Sequence, residues 1–155
     1  MPGIDNNTPL RLSLVSIKET GFSIRPDLRE QEIEKIDWMI GFRPIPQDGS
    51  RIAVEVRSAA INTDTNIEVA SCAVMLTYTV DNIDKFVTKD SDNKLTIRDH
   101  LMLNMLNPAY GTLRGVMYAR FAGTLLERRP LPLIDIQDLV KAAKRNDSVA
   151  QQTIR

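Results

Sequence analysis

The sequence predicts an α+β fold in which antiparallel strands come first and helices follow. Apolar and polar residues alternate in four stretches between Leu10 and Val80, the two-residue period of partly buried strands. After Phe86 the apolar spacing lengthens to that of amphipathic helices. A chain of 155 residues, 43% hydrophobic and 26% charged, has the composition of one packed domain and is too apolar for a disordered chain. Strands followed by helices, instead of the two alternating, place the domain in the α+β class.

The elements follow in order. Residues 1–9 are polar and rich in turn formers, which predicts a flexible arm. Leu10, Leu12 and Leu14 share one parity and Val15 and Ile17 the other, so the first strand needs a bulge or bend near Leu14 before it reaches Gly21-Phe22-Ser23-Ile24. Glu30 to Lys35 is a charged connection with room for a helical turn. Ile36, Trp38, Ile40 and Phe42 then alternate until Pro44 and Pro46, which marks a strand ending at an edge or leaving the sheet. Gln47-Asp48-Gly49-Ser50 turns the chain into Arg51–Arg57, and Asn62 to Asn66 turns it again. Ile67 to Val80, rich in β-branched residues on both parities, is expected to be a central strand with both faces at least partly covered. Short turns between these strands suit an antiparallel meander or a Greek key.

Thr88 to Lys94 reads as a polar loop, and Thr96-Ile-Arg-Asp99 as a capping box opening a helix through Leu101 and Leu106. Pro108 is expected to interrupt it, with a second helix beginning there and running to about Leu125. Arg128 to Pro132 must be extended because each proline disfavours helix before it. Asp135 caps a last helix with Ile136, Leu139 and Val140 inward, and the polar end from Lys144 is expected to fray. The chain thus divides into an arm over 1–9, one domain over 10–143 and a polar tail over 144–155.

Twenty Lys and Arg balance twenty Asp and Glu, but unevenly: residues 1–100 carry net −4 and residues 101–155 net +4. Zero net charge argues against a nucleic-acid partner, which usually selects a basic excess. No apolar run is long enough for a membrane helix, so no membrane insertion is expected. The start, Met1-Pro-Gly-Ile-Asp5, lacks both parts of a signal peptide, and a single cysteine, Cys72, excludes an internal disulfide; together they predict a cytoplasmic location.

Catalytic chemistry finds little support. Cys72 and His100 are the only pair from which a histidine-activated thiol could be made, and their contexts read as a buried strand cysteine and an exposed helix-start histidine. Asp90-Ser-Asp92-Asn93 fails as a calcium loop because Lys94 takes a ligand place, Leu95 replaces the turn glycine and Leu101 stands where the bidentate glutamate belongs. There is no phosphate loop, no nucleophile elbow and no zinc spacing. No enzymatic activity, cofactor or metal is expected. Aromatic and methionine side chains, among them Trp38, Met39, Phe42, Tyr78, Phe86, Met102 and Met105, are candidates for the core or for an adaptable apolar groove.

The order of elements and three stretches resemble the SecB-type protein-export chaperones. The first stretch is Leu10-Arg-Leu-Ser-Leu-Val-Ser-Ile-Lys-Glu-Thr-Gly-Phe-Ser23, a strand with a bulge and a Phe-containing continuation. The second is Asp37-Trp38 opening the next strand. The third runs from Asn107 to Thr124 and on to Leu131-Pro-Leu-Ile-Asp-Ile-Gln-Asp-Leu139, similar to the family's long helix and the Pro-containing segment after it. The resemblance spans roughly residues 10–140 and implies a four-stranded antiparallel Greek-key sheet with helices on one face, assembled into dimers or tetramers. It implies an ATP-independent holdase, without cofactor or catalysis, that binds unfolded polypeptides and preproteins in apolar grooves. Carried over by position, Trp38 would line the groove, with Phe42, Tyr78 and Phe86 near it. The helix over 108–124 would supply an oligomer interface through Gly111, Gly115, Tyr118, Ala119 and Ala122.

The departures bear on the partner. Family members that serve the translocation ATPase SecA resemble one another in an acidic strand face and a zinc-binding tail. Here Glu19 keeps one acidic place, Ser23 and Ser71 stand at others, and the tail from Lys144 to Arg155 has neither cysteine nor histidine. Zinc-dependent docking is therefore not expected, and a SecA partnership is weighed against. A dedicated antitoxin-type chaperone and a partner- or small-ligand-binding module on the same fold stay open as alternatives.

Overall fold

A computed structural model describes residues 7–146 and 150–154; most of the expected N-terminal arm lies outside them. The strands are β1 (Leu12–Ile24), β2 (Ile36–Pro46), β3 (Arg51–Asn62) and β4 (Glu68–Val80), with a helical turn α1 (Glu30–Ile33) in the charged connection. They pair antiparallel in the order β1-β4-β3-β2, and a short strand β7 (Ala150–Ile154) extends the sheet beyond β2. The four strands and the α+β class are as expected. The polar end from Lys144, expected to fray, carries instead the close of a helix and the fifth strand.

Register follows the apolar pattern. In β1 it shifts between Leu14 and Ser16 and again between Glu19 and Gly21, so a bulge falls where the parity of leucines breaks. The shifts keep Leu14, Ile17, Glu19 and Phe22 opposite Tyr78, Leu76, Val74 and Cys72, all buried in β4. β2 runs through both of its prolines, and the reason is local: β7 pairs only with Trp38 to Phe42, leaving the outer side of Pro44 and Pro46 without a neighbour to bond.

Two expectations about the helical half are corrected. The stretch Thr96–Asp99 does not form a capping box: Thr96 lies in β6 (Leu95–Ile97), which forms a hairpin with β5 (Val87–Lys89), and Arg98 at the helix start makes no side-chain cap. Nor does Pro108 divide the helix. One helix, α2, runs from Asp99 to Phe121 with Pro108 inside it. The buried stripe from Leu101, Met105 and Ala109 to Leu113 and Met117 passes the proline without changing phase. Packing of that stripe outweighs the lost hydrogen bond, and the proline sits on the exposed side. After a 3-10 turn over Leu125–Arg128, Asp135 accepts a hydrogen bond from the Gln137 N–H (2.9 Å) at the start of α3 (Ile136–Asn146). Ile136, Leu139 and Val140 are buried, as their spacing requires.

α2 lies across β3 and β4 and touches α3. Side-chain contacts fix the face it covers: the Tyr78 hydroxyl donates to the Met105 carbonyl (2.9 Å), the Ser58 hydroxyl reaches Met117 Sδ (2.9 Å), and Phe121 meets Phe22 (centroids 5.8 Å) and Trp38 (6.5 Å). The opposite face carries small buried side chains, including Ala53, Ala59, Ser71 and Ala73, crossed by the ion pairs Arg43–Glu55 (3.0 Å) and Arg57–Glu68.

Candidate functional site

Among the described residues, an open groove of about 1010 Å³ lies between the end of the main sheet and the helices. Phe42, Pro44 and Pro46 at the end of β2 form one wall, and Leu95 and Ile97 of β6 another. Met102 near the start of α2, with Val140 and Ala143 of α3, closes the third side. Each wall has a sequence reason. Beyond Phe42 the prolines keep β2 extended while removing donors, so that side of the strand takes no further neighbour. The hairpin stands away from the main sheet, and its two-residue alternation turns Leu95 and Ile97 to one side. Val140 and Ala143 are three apart on α3 and share a helical face.

A smaller hollow of about 170 Å³ meets the groove at Pro46 and Leu95 and passes beneath the hairpin along Ile52, Ile83 and Val87. The polar groups at the margins are mostly basic: Arg43, Lys94 and Lys144 on the groove, and Arg51 and Lys89 on the smaller hollow. Another depression, of about 340 Å³, lies on the opposite sheet face among Met39, Gly41, Arg57 and Glu68.

The candidate peptide-binding aromatics do not come together in one groove. Phe42 lines the groove with part of its buried ring, whereas Trp38, Tyr78 and Phe86 belong to the closed core. Trp38 lies against Phe121 under the end of α2; Tyr78 is bonded to Met105, and burial pushes its hydroxyl up to about 12. Phe86 packs at the base of the hairpin with the Arg98 guanidinium 5.8 Å from its centroid. The candidate interface residues Gly111, Gly115, Tyr118 and Ala119 lie on the exposed side of α2, with Tyr118 77% exposed, and Ala122 is exposed just past the end of the helix. A Cβ added at Gly111 or Gly115 would meet nothing within 4 Å, so packing inside the chain does not require glycine at either position.

Sequence reasoning missed Pro44, Leu95, Ile97 and Ala143 as groove residues. The alternation Leu95, Ile97 was the available signal, hidden because it is only three residues long. Cys72 is buried, and desolvation, with the nearby Glu19 carboxylate, pushes its thiol up to about 11, the wrong direction for a nucleophile. His100 is exposed in the first turn of α2. Among the described residues no group of three or more His, Cys, Asp or Glu is placed to hold a metal ion, and no helix is long and apolar enough to cross a membrane. Compared with protein-family models and with curated proteins, the chain matches none.

Proposed function

We propose that this chain is an ATP-independent holdase of the SecB-like kind that binds extended, unfolded polypeptide in the groove between β2, β6 and the two long helices. The observation that carries the reading is the groove itself. It is open to the surface, lined largely by apolar side chains, and as large as the upper range of small-molecule sites, which are usually enclosed. An apolar groove that stays open accepts a chain passing through it, and Met102 lines it with a side chain that adapts to many sequences. The strand order, in which β2, β3 and β4 pair in sequence and β4 comes back beside β1, supports the Greek-key form of the fold.

Self-association belongs to the same reading. β1 is an edge strand of 13 residues whose Leu14 and Ile17 are 49% and 53% exposed. Native proteins rarely leave so long an apolar edge open, and a second copy would cover it together with the exposed side of α2. Coupling to SecA has less support: Glu19 accepts two hydrogen bonds from Arg120 (3.1 and 2.8 Å), so its charge is matched within the chain.

The test is whether the purified chain, at a one-to-one ratio and without nucleotide, suppresses aggregation of a chemically unfolded client. Suppression by an oligomeric species is expected. A monomer that leaves aggregation unchanged contradicts the proposal and leaves the small-ligand module in its place.

A further inference from the structure

The groove's charges are lopsided in a way that bears on which polypeptides it takes. Among the described residues, five cationic side chains line the groove and the smaller hollow that meets it, Arg43, Arg51, Lys89, Lys94 and Lys144, and one carboxylate, Asp99. Asp99 is already committed to Lys144 (2.6 Å), and Arg43 is drawn to Glu55 on the opposite sheet face (3.0 Å). Arg51, Lys89 and Lys94 have no ion-pair partner among the described residues, and all three sit where the groove passes the β5–β6 hairpin.

Carboxylates nearby do not remove the asymmetry. Asp48 lies in the β2–β3 turn, and Asp90 and Asp92 in the hairpin tip, all outside the lining. Asp90 is turned into its own loop, where it accepts the N–H groups of Asp92 (2.9 Å) and Lys94 (2.8 Å). An occupant of the groove therefore meets an apolar floor whose hairpin end is positive.

We propose that the groove selects extended segments in which apolar residues are followed by acidic ones, the carboxylates lying at the hairpin end against Arg51, Lys89 and Lys94. This rests on the holdase reading and names its substrate class. Each exposed ion pair adds little, but a cluster of like charges beside an apolar wall raises the encounter rate and makes binding salt-dependent. A basic segment placed there would face the same three cations and be repelled.

The test uses the full chain and three labelled peptides that share one apolar core and end in three glutamates, three glutamines or three lysines. The glutamate peptide is expected to bind roughly tenfold tighter than the lysine peptide at low salt, the gap closing to about two- or threefold near 0.5 M salt as screening shortens the range of the charges. In the double variant Lys89→Glu, Lys94→Glu, both positions being exposed, the order should reverse while the far-ultraviolet circular dichroism stays unchanged. Equal binding of all three peptides, or a preference for lysine in the parent chain, overturns the charge selection but leaves the holdase reading intact. If none of the peptides binds, the holdase reading fails first and the selection with it.

Discussion

Buried titratable groups make the core sensitive to alkali. The Cys72 thiol is raised from 9.0 to about 11 and the Tyr78 hydroxyl from 10.0 to about 12, both chiefly by desolvation. Each keeps its proton longer in the folded chain than in the unfolded one. The stabilisation is therefore complete below the unfolded pKa and is lost as pH climbs through the folded value. Folding stability should fall from about pH 9 upward, the thiol accounting for roughly 2–3 kcal/mol by pH 11. Urea titrations of Cys72→Ala between pH 8 and 11 should show that part of the slope removed; a slope unchanged from the parent would contradict it. Trp38 is decided at the same scale. Buried against Phe121, it should cost about 3–5 kcal/mol when truncated to alanine, a loss read in the denaturation midpoint. Groove-wall residues are better probes of binding, since Ala143 and Ile97 are only partly buried.

Among the elements, α2 invites the plainest experiment. Pro108 sits on its exposed side and withholds an N–H from the helix, so Pro108→Ala should stabilise the chain by about 1–3 kcal/mol with an unchanged denaturant slope. Destabilisation would mean that the proline itself is needed for packing. β1 offers another: Leu14→Lys with Ile17→Lys should abolish self-association with little effect on monomer stability, measured by sedimentation. How much of this was legible depended on length and locality. β2, β3, β4 and α3 were readable because each carries its own period for several residues, and Asp135 supplies a local start signal for α3. The three-residue strands β5 and β6 are too short to display a period, and the polar Ala-Gln-Gln-Thr-Ile of β7 becomes a strand only through its pairing with β2. Pro108 misled because proline's local rule was outweighed by packing of a stripe more than twenty residues long.

At the scale of the whole molecule, neutrality conceals organisation. Acidic and basic side chains cancel in number, yet the pairs Arg43–Glu55 and Lys144–Asp99 engage carboxylates close to the groove and leave the hairpin end basic. The groove was the part least visible in sequence, because its walls come from residues near 42–46, 93–102 and 140–144 and no single stretch announces it. Trp38 and Tyr78, placed at the groove by the family resemblance, went to the core because their strand parity faces α2; Phe42 shares that parity but lies at the groove's edge. Chemical-shift mapping of an unfolded client segment on the isotope-labelled chain tests the central claim most directly. Binding in the groove predicts saturable shifts at Leu95, Ile97, Met102, Val140 and Ala143, with Met39, Arg57 and Glu68 on the opposite face unmoved. Shifts confined to that opposite face, or none at saturating client, would contradict it.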